Sequence, residues 1–173
     1  MKSGFMLGRF QPFHNEHKIF LNEIQENFEE ISVGVYNTPV SLSNPFTFEE
    51  RKRMIEYEFE VPVFKVEYTK NLVDFRRNIK NYVGNSIFCT RDLDRALVMR
   101  LLKFGTFYRT GRYISGSSIR NLILNKDDEY KKYISQFTAD IVESQEFIDR
   151  VKNLNSVHSL TIPTNLRSRL TIF

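Results

Sequence analysis

The sequence predicts an α/β fold, a doubly wound parallel sheet followed by C-terminal helices. Three observations predict it. Short apolar runs alternate with helical segments through Thr110. A chemistry-bearing stretch, "GRFQPFHNEH" (Gly8 to His17), falls at a strand-to-helix turn. After Gly116 strand-like runs stop, and the remaining chain can be written as helices.

In order, "SGFMLGR" is a buried strand, and "NEHKIFLNEIQENF" is a helix whose face is marked by Ile19, Phe20, Ile24 and Phe28. "EISVGVY" is a second strand. "TFEERKRMIEYEF" is a helix opened by a capping box, Thr47 with Glu50 three residues on. "VPVFKVEYT" and "NSIFCT" are the third and fourth strands. "RDLDRALVMRLLKF" is a helix with Leu93, Leu97 and Leu101 in register, and "GTFYRT" is the fifth strand. "SSIRNLIL", "DDEYKKYIS" and "FTADIVESQEFIDRVKNL" are helical. One domain spans 1–173, with its core in 3–153 and residues 154–173 unassigned.

Composition narrows the function. The 173 residues suffice for one domain with a sizeable core. The net charge of +4 comes from scattered residues, with no run of like charges, so no nucleic-acid stripe is expected and a small anionic ligand fits. The single cysteine, Cys89, excludes an internal disulfide and a cysteine-based zinc site. No apolar stretch is long enough for a membrane span or a signal-peptide core, so a cytoplasmic protein is expected.

In a doubly wound sheet, ligands bind beyond the carboxyl ends of the strands, which puts Gly8–His17 on the functional edge. Gly8 permits close backbone approach, and the helix that follows points free N–H groups over the turn. Arg9 adds a cation shaped for phosphate oxygens. His14 and His17, two of only three histidines, are spaced to face one way on a helical first turn. Together these groups suit a polyphosphate. A metal pair or histidines that merely cap the helix remain open, although no third ligand lies nearby for a metal. Ser115 and Ser117 open a second helix, which carries Arg120.

"GRFQPFHNEH" resembles the GRFQPFHxGH signature of the archaeal-type nicotinamide mononucleotide adenylyltransferases, in the HxGH nucleotidylyltransferase superfamily. "NPFTFEER" (Asn44 to Arg51) is similar to the family's NPFTxxER, and "ISGSSIR" (Ile114 to Arg120) to its ISGTEIR. The resemblance covers about residues 3–153 and implies a Rossmann-like nucleotidylyltransferase fold. It implies transfer of AMP from ATP, with Mg²⁺, to nicotinamide mononucleotide, giving NAD and pyrophosphate. Catalysis would fall to His17, His14 and Arg9. Gly8, Arg9, Phe10, His14 and His17 would bind ATP with Ser115, Gly116, Ser117 and Arg120, and Thr90 and Arg91 would border the adenine. Family members are often homo-oligomers, which is an expectation here too.

Two positions depart from the family pattern. Glu16 stands where HxGH has glycine. After the third strand a D-x-x-x-N-x-x-W pattern is expected; Asp74 and Asn78 match it, whereas Asn81 replaces the tryptophan that stacks on the nicotinamide. Tyr82 is the adjacent aromatic, so Asp74, Asn78, Asn81 and Tyr82 form the expected acceptor wall. Rival expectations are transfer to another phosphorylated acceptor (flavin mononucleotide or phosphopantetheine) and a nucleotide-binding regulatory module without catalysis.

Overall fold

The computed structural model describes residues 2–69, 71–111 and 114–161. All five expected strands are present: β1 (Ser3–Gly8), β2 (Glu30–Asn37), β3 (Val63–Glu67), β4 (Ile87–Thr90) and β5 (Thr106–Tyr108). They form one parallel sheet in the order β3-β2-β1-β4-β5. Strand order therefore reverses between β1 and β4, which opens a crevice beyond their carboxyl ends.

Seven helices are described: α1 (Asn15–Gln25), α2 (Phe48–Glu58), α3 (Leu72–Val83), α4 (Leu93–Leu101), α5 (Gly116–Leu124), α6 (Gln136–Glu143) and α7 (Gln145–Thr161). They cover both faces of the sheet. Phe20 and Ile24 of α1, Met54 and Ile55 of α2, and buried residues of α5 to α7 share one core with Met6 of β1. Phe5 and Leu7 point the other way and pack with Ile79 and Val83 of α3 and Met99 of α4. The alternation along β1 is the period of a strand buried on both sides.

Several sequence expectations need correction. Leu93, Leu97 and Leu101 do lie along one line of α4, but they are 54%, 48% and 81% exposed. Ala96 and Met99 face the sheet instead. On α1, Ile19 is exposed at 47% and Leu21 is buried. Helix α3, for which the sequence gives no clear expectation, carries the chain from β3 to β4 across the sheet. "DDEYKKYIS" is mostly a 3-10 turn, Asp128–Tyr133, rather than an α-helix. The last helical stretch breaks into α6 and α7 at Ser144, whose hydroxyl accepts from Phe147 N–H at 3.3 Å. Helix α7 absorbs residues up to Thr161 of the unassigned tail; residues 162–173 lie outside those described. Among the described residues, no helix is long and apolar enough to cross a membrane.

Candidate active site

The turn after β1 is tightly built. A Cβ on Gly8 would stand 2.8 Å from the Phe10 ring, so only glycine leaves that ring its place. Phe10 itself takes a left-handed φ of 49° and is 2% exposed. The segment Asn44–Arg51 braces this turn from below. The Gln11 amide donates to the Phe46 carbonyl and accepts from the Phe46 N–H, both at 2.9 Å. Arg51 Nη1 donates to the carbonyls of Arg9 (2.8 Å) and Tyr36 (2.9 Å), and Nε to that of Thr47 (3.0 Å). Burial pushes the Arg51 pKa down to about 10, which leaves it charged at neutral pH. The capping box at Thr47 is present, and its Glu50 is gripped by Arg150 of α7 at 2.7 and 2.9 Å.

Above the turn lies a cavity of about 350 Å³ at the strand-order reversal. Gly8, Arg9, Phe10, His14 and His17 line it from the first turn, and Thr90 and Arg91 from the end of β4. Ser115, Gly116, Ser117 and Arg120 line it from α5. All eleven residues expected at the ATP site thus border one space. Arg9 is exposed, whereas Arg120 is 8% exposed and donates to the Gln11 carbonyl at 2.7 Å. The helix starts of α1 and α5 both open here. Ser115 caps α5 by accepting from Ser118 N–H at 3.1 Å.

His14 is the N-cap of α1, and its ring centre is 3.7 Å from that of His17. The His14 N–H points to His17 Nδ1 at 3.3 Å, so the neutral His17 ring carries its proton on Nε2. Burial, assisted by the Arg120 charge, lowers the His14 pKa to about 4. Burial, then His14, Arg95 and Arg91, hold His17 well below its usual value. Both rings are therefore neutral at pH 7 and act as hydrogen-bonding groups rather than as cations. His14 Nδ1 is buried without a partner. Cys89 also borders the cavity, its thiol pushed up to about 12 by burial.

Three positioned residues carry no role in the sequence expectations. Gln11 and Arg51 lie inside the quoted motifs, which was their only signal. Arg95 lines the cavity and donates to the Leu7 carbonyl at 3.2 Å, and nothing in its sequence context marks it. Glu16 also lines the cavity and pairs with Arg91 at 3.1 Å. The expected acceptor residues stand apart. Asp74, Asn78, Asn81 and Tyr82 lie on α3, and none lines the cavity. Asp74 faces Arg77 at 3.6 Å, and the exposed Tyr82 ring lies 6.2 Å from Phe64. Among the described residues, no three His, Cys, Asp or Glu side chains gather to hold a metal ion.

Comparison with known proteins agrees with this geometry. The cytidylyltransferase-like family model matches residues 5–122. A nicotinamide-nucleotide adenylyltransferase from Methanolobus tindarius is 30% identical over 169 residues, covering 90% of this chain and 95% of that protein. One from Archaeoglobus fulgidus is 29% identical over 170 residues, covering 87% and 96%. Among solved structures, a bifunctional NMN adenylyltransferase/ADP ribose pyrophosphatase from Francisella tularensis, complexed with AMP and a manganese ion, superposes with a TM-score of 0.68. It is 20% identical, and the match covers 91% of this chain and 54% of that one. With a sheet that reverses at β1 and β4, a cavity at that reversal and a family model spanning both, the chain belongs to the cytidylyltransferase-like family.

Proposed function

We propose that this protein transfers the adenylyl group of ATP to nicotinamide mononucleotide, forming NAD and releasing pyrophosphate. The observation that carries this reading is the convergence of two helix N-termini, Arg9 and Arg120 on one cavity at the switch point. The names of the similar archaeal enzymes supply the acceptor.

An oxygen of the acceptor's 5′-phosphate attacks the α-phosphorus of ATP in line, and the bond to pyrophosphate breaks as the new one forms. That phosphate is already ionised at pH 7, so no general base is required. Catalysis then rests on positioning and on stabilising charge in the transition state. His17, with Nε2 protonated, and Arg9 meet the α-phosphate; His14 supports an adjoining phosphate. Ser115, Gly116, Ser117 and Arg120 hold the β- and γ-phosphates at the start of α5, and Thr90 and Arg91 border the base. Asp74, Asn78, Asn81 and Tyr82 are the acceptor side. Mg²⁺ would arrive with ATP as part of the substrate. It would help neutralise the departing pyrophosphate.

An acceptor screen with MgATP, following pyrophosphate release, tests this reading. Nicotinamide mononucleotide should give the highest kcat/KM. Reaction with flavin mononucleotide or phosphopantetheine, and none with nicotinamide mononucleotide, would overturn the acceptor assignment. ATP binding without pyrophosphate release in the presence of any acceptor would favour the regulatory alternative.

A further inference from the structure

Helix α1 carries Glu16, Phe20 and Glu23 on one face, four and then three residues apart. Arg91, the first residue after β4, lies flat along that face. Its Nη1 donates to Glu16 at 3.1 Å, its Nη2 donates to Glu23 at 2.6 Å, and its guanidinium carbon stands 5.1 Å from the Phe20 ring centre. Gly111 closes over it from the β5–α5 side, where a Cβ would stand 3.4 Å from Nη1. One arginine thus joins the two lips of the crevice, β1–α1 and β4–α4, at the edge of the cavity. Its side chain is only 12% exposed and that of Glu16 only 22%, so this is a partly desolvated clasp rather than a loose surface pair.

The charges around the cavity are consequently uneven. At one end three carboxylates, Glu16, Glu23 and Asp92, outweigh the two guanidiniums they pair with, Arg91 and Arg95. At the other, Arg9 and Arg120 have no carboxylate partner among the described residues. Glu16 occupies the position where the signature has glycine, and it turns toward Arg91 rather than toward the helix N-terminus.

Building on the assignment of the cavity to ATP, we propose that Glu16 is a positioning residue. Through Arg91 it fixes the width of the crevice beside His17, and it cancels the cation at the base end. A triphosphate is then drawn only to the Arg9–Arg120 end, in the orientation that exposes its α-phosphorus.

The test compares ATP with inorganic tripolyphosphate, which has phosphates but no base. Affinities are measured by calorimetry without any acceptor, and kcat/KM for ATP in the transfer assay. Glu16→Gln keeps the shape and removes the charge. It should bind tripolyphosphate about three- to fivefold more tightly while its kcat/KM for ATP falls. Glu16→Asp should restore part of both, and adding Arg91→Met to Glu16→Gln should abolish the extra tripolyphosphate affinity. A merely structural role would weaken both ligands together, and that outcome overturns the proposal. So does Glu16→Gly transferring adenylyl groups as fast as the unaltered protein. If Glu16→Gly unfolds on thermal melting, Glu16→Gln and Glu16→Asp carry the result. The binding arm uses no acceptor, so a wrong acceptor assignment does not affect it. Failure of the unaltered protein to bind ATP overturns the cavity assignment and this proposal together.

Discussion

The β1–α1 side of the crevice and helix α3 are built by different means. On the β1–α1 side Gln11 is 2% exposed, His14 4% and Arg120 8%, and backbone carbonyls of the first turn are bonded from both α2 and α5. On α3, Asn81 and Tyr82 are exposed, Leu72 and Val73 are 57% and 67% exposed, and the helix packs through little more than Ile79 and Val83. The first region is interlocked, so a change at one residue disturbs several others. The second is a surface helix whose outward residues can change without touching the core. The cavity residues are thereby tied together by packing, whereas the outward face of α3 is not.

The sharpest way to break that contrast is at His17. His17→Ala should lower kcat by about 10²–10³ with a far smaller change in ATP affinity, the split expected of the proposed role in which its N–H meets charge that develops in the transition state. Rapid-quench kinetics alongside equilibrium ATP binding would check this. Equal losses in both would make the residue a binding group only.

Acid stability tests the interlocked side more gently. His14 titrates at 6.5 when exposed in the unfolded chain and at about 4 in the native protein. The unfolded chain therefore binds the proton first, so this contribution to stability is whole above pH 6.5 and is lost as pH falls toward 4. Fully expressed it amounts to about 3 kcal/mol. Denaturant unfolding at pH 7 and pH 4.5 should show a smaller acid loss in His14→Gln than in the unaltered protein. An identical loss would mean that His14 is not held neutral.

The smallest effect belongs to α3. Asn81→Trp should leave the melting temperature nearly unchanged and lower the acceptor KM about fivefold, the worth of one aromatic contact of on the order of 1 kcal/mol. ATP KM should not move. If the acceptor KM is also unmoved, the exposed face of α3 is not the acceptor wall.

Much of the fold could be read from the sequence because each strand is a short apolar run and because the Thr47 box is a local signal. The α4 leucines show where such reading ends. Spacing places Leu93, Leu97 and Leu101 on one line, but which line meets the sheet depends on how the helix is rolled, and Ala96 and Met99 took that place. The residues that line the cavity were legible as motifs. How the motifs brace one another was not, since Gln11 meets Phe46 across 35 residues and Arg91 meets Glu16 across 75. Those pairings are long-range and have no local period.

The brace beneath the turn has a further consequence, for ionic strength. Arg51 is a fully buried cation whose side-chain hydrogen bonds among the described residues all go to carbonyls, directly under the backbone of Arg9. Mobile ions weaken the pull of an exposed charge such as Arg9, but they cannot crowd around one sealed in the interior. Raising salt across the physiological range should therefore strip away the contribution of Arg9 and leave that of Arg51 nearly whole. The protein's hold on a triphosphate would then decline less with salt than a count of its nearby arginines suggests.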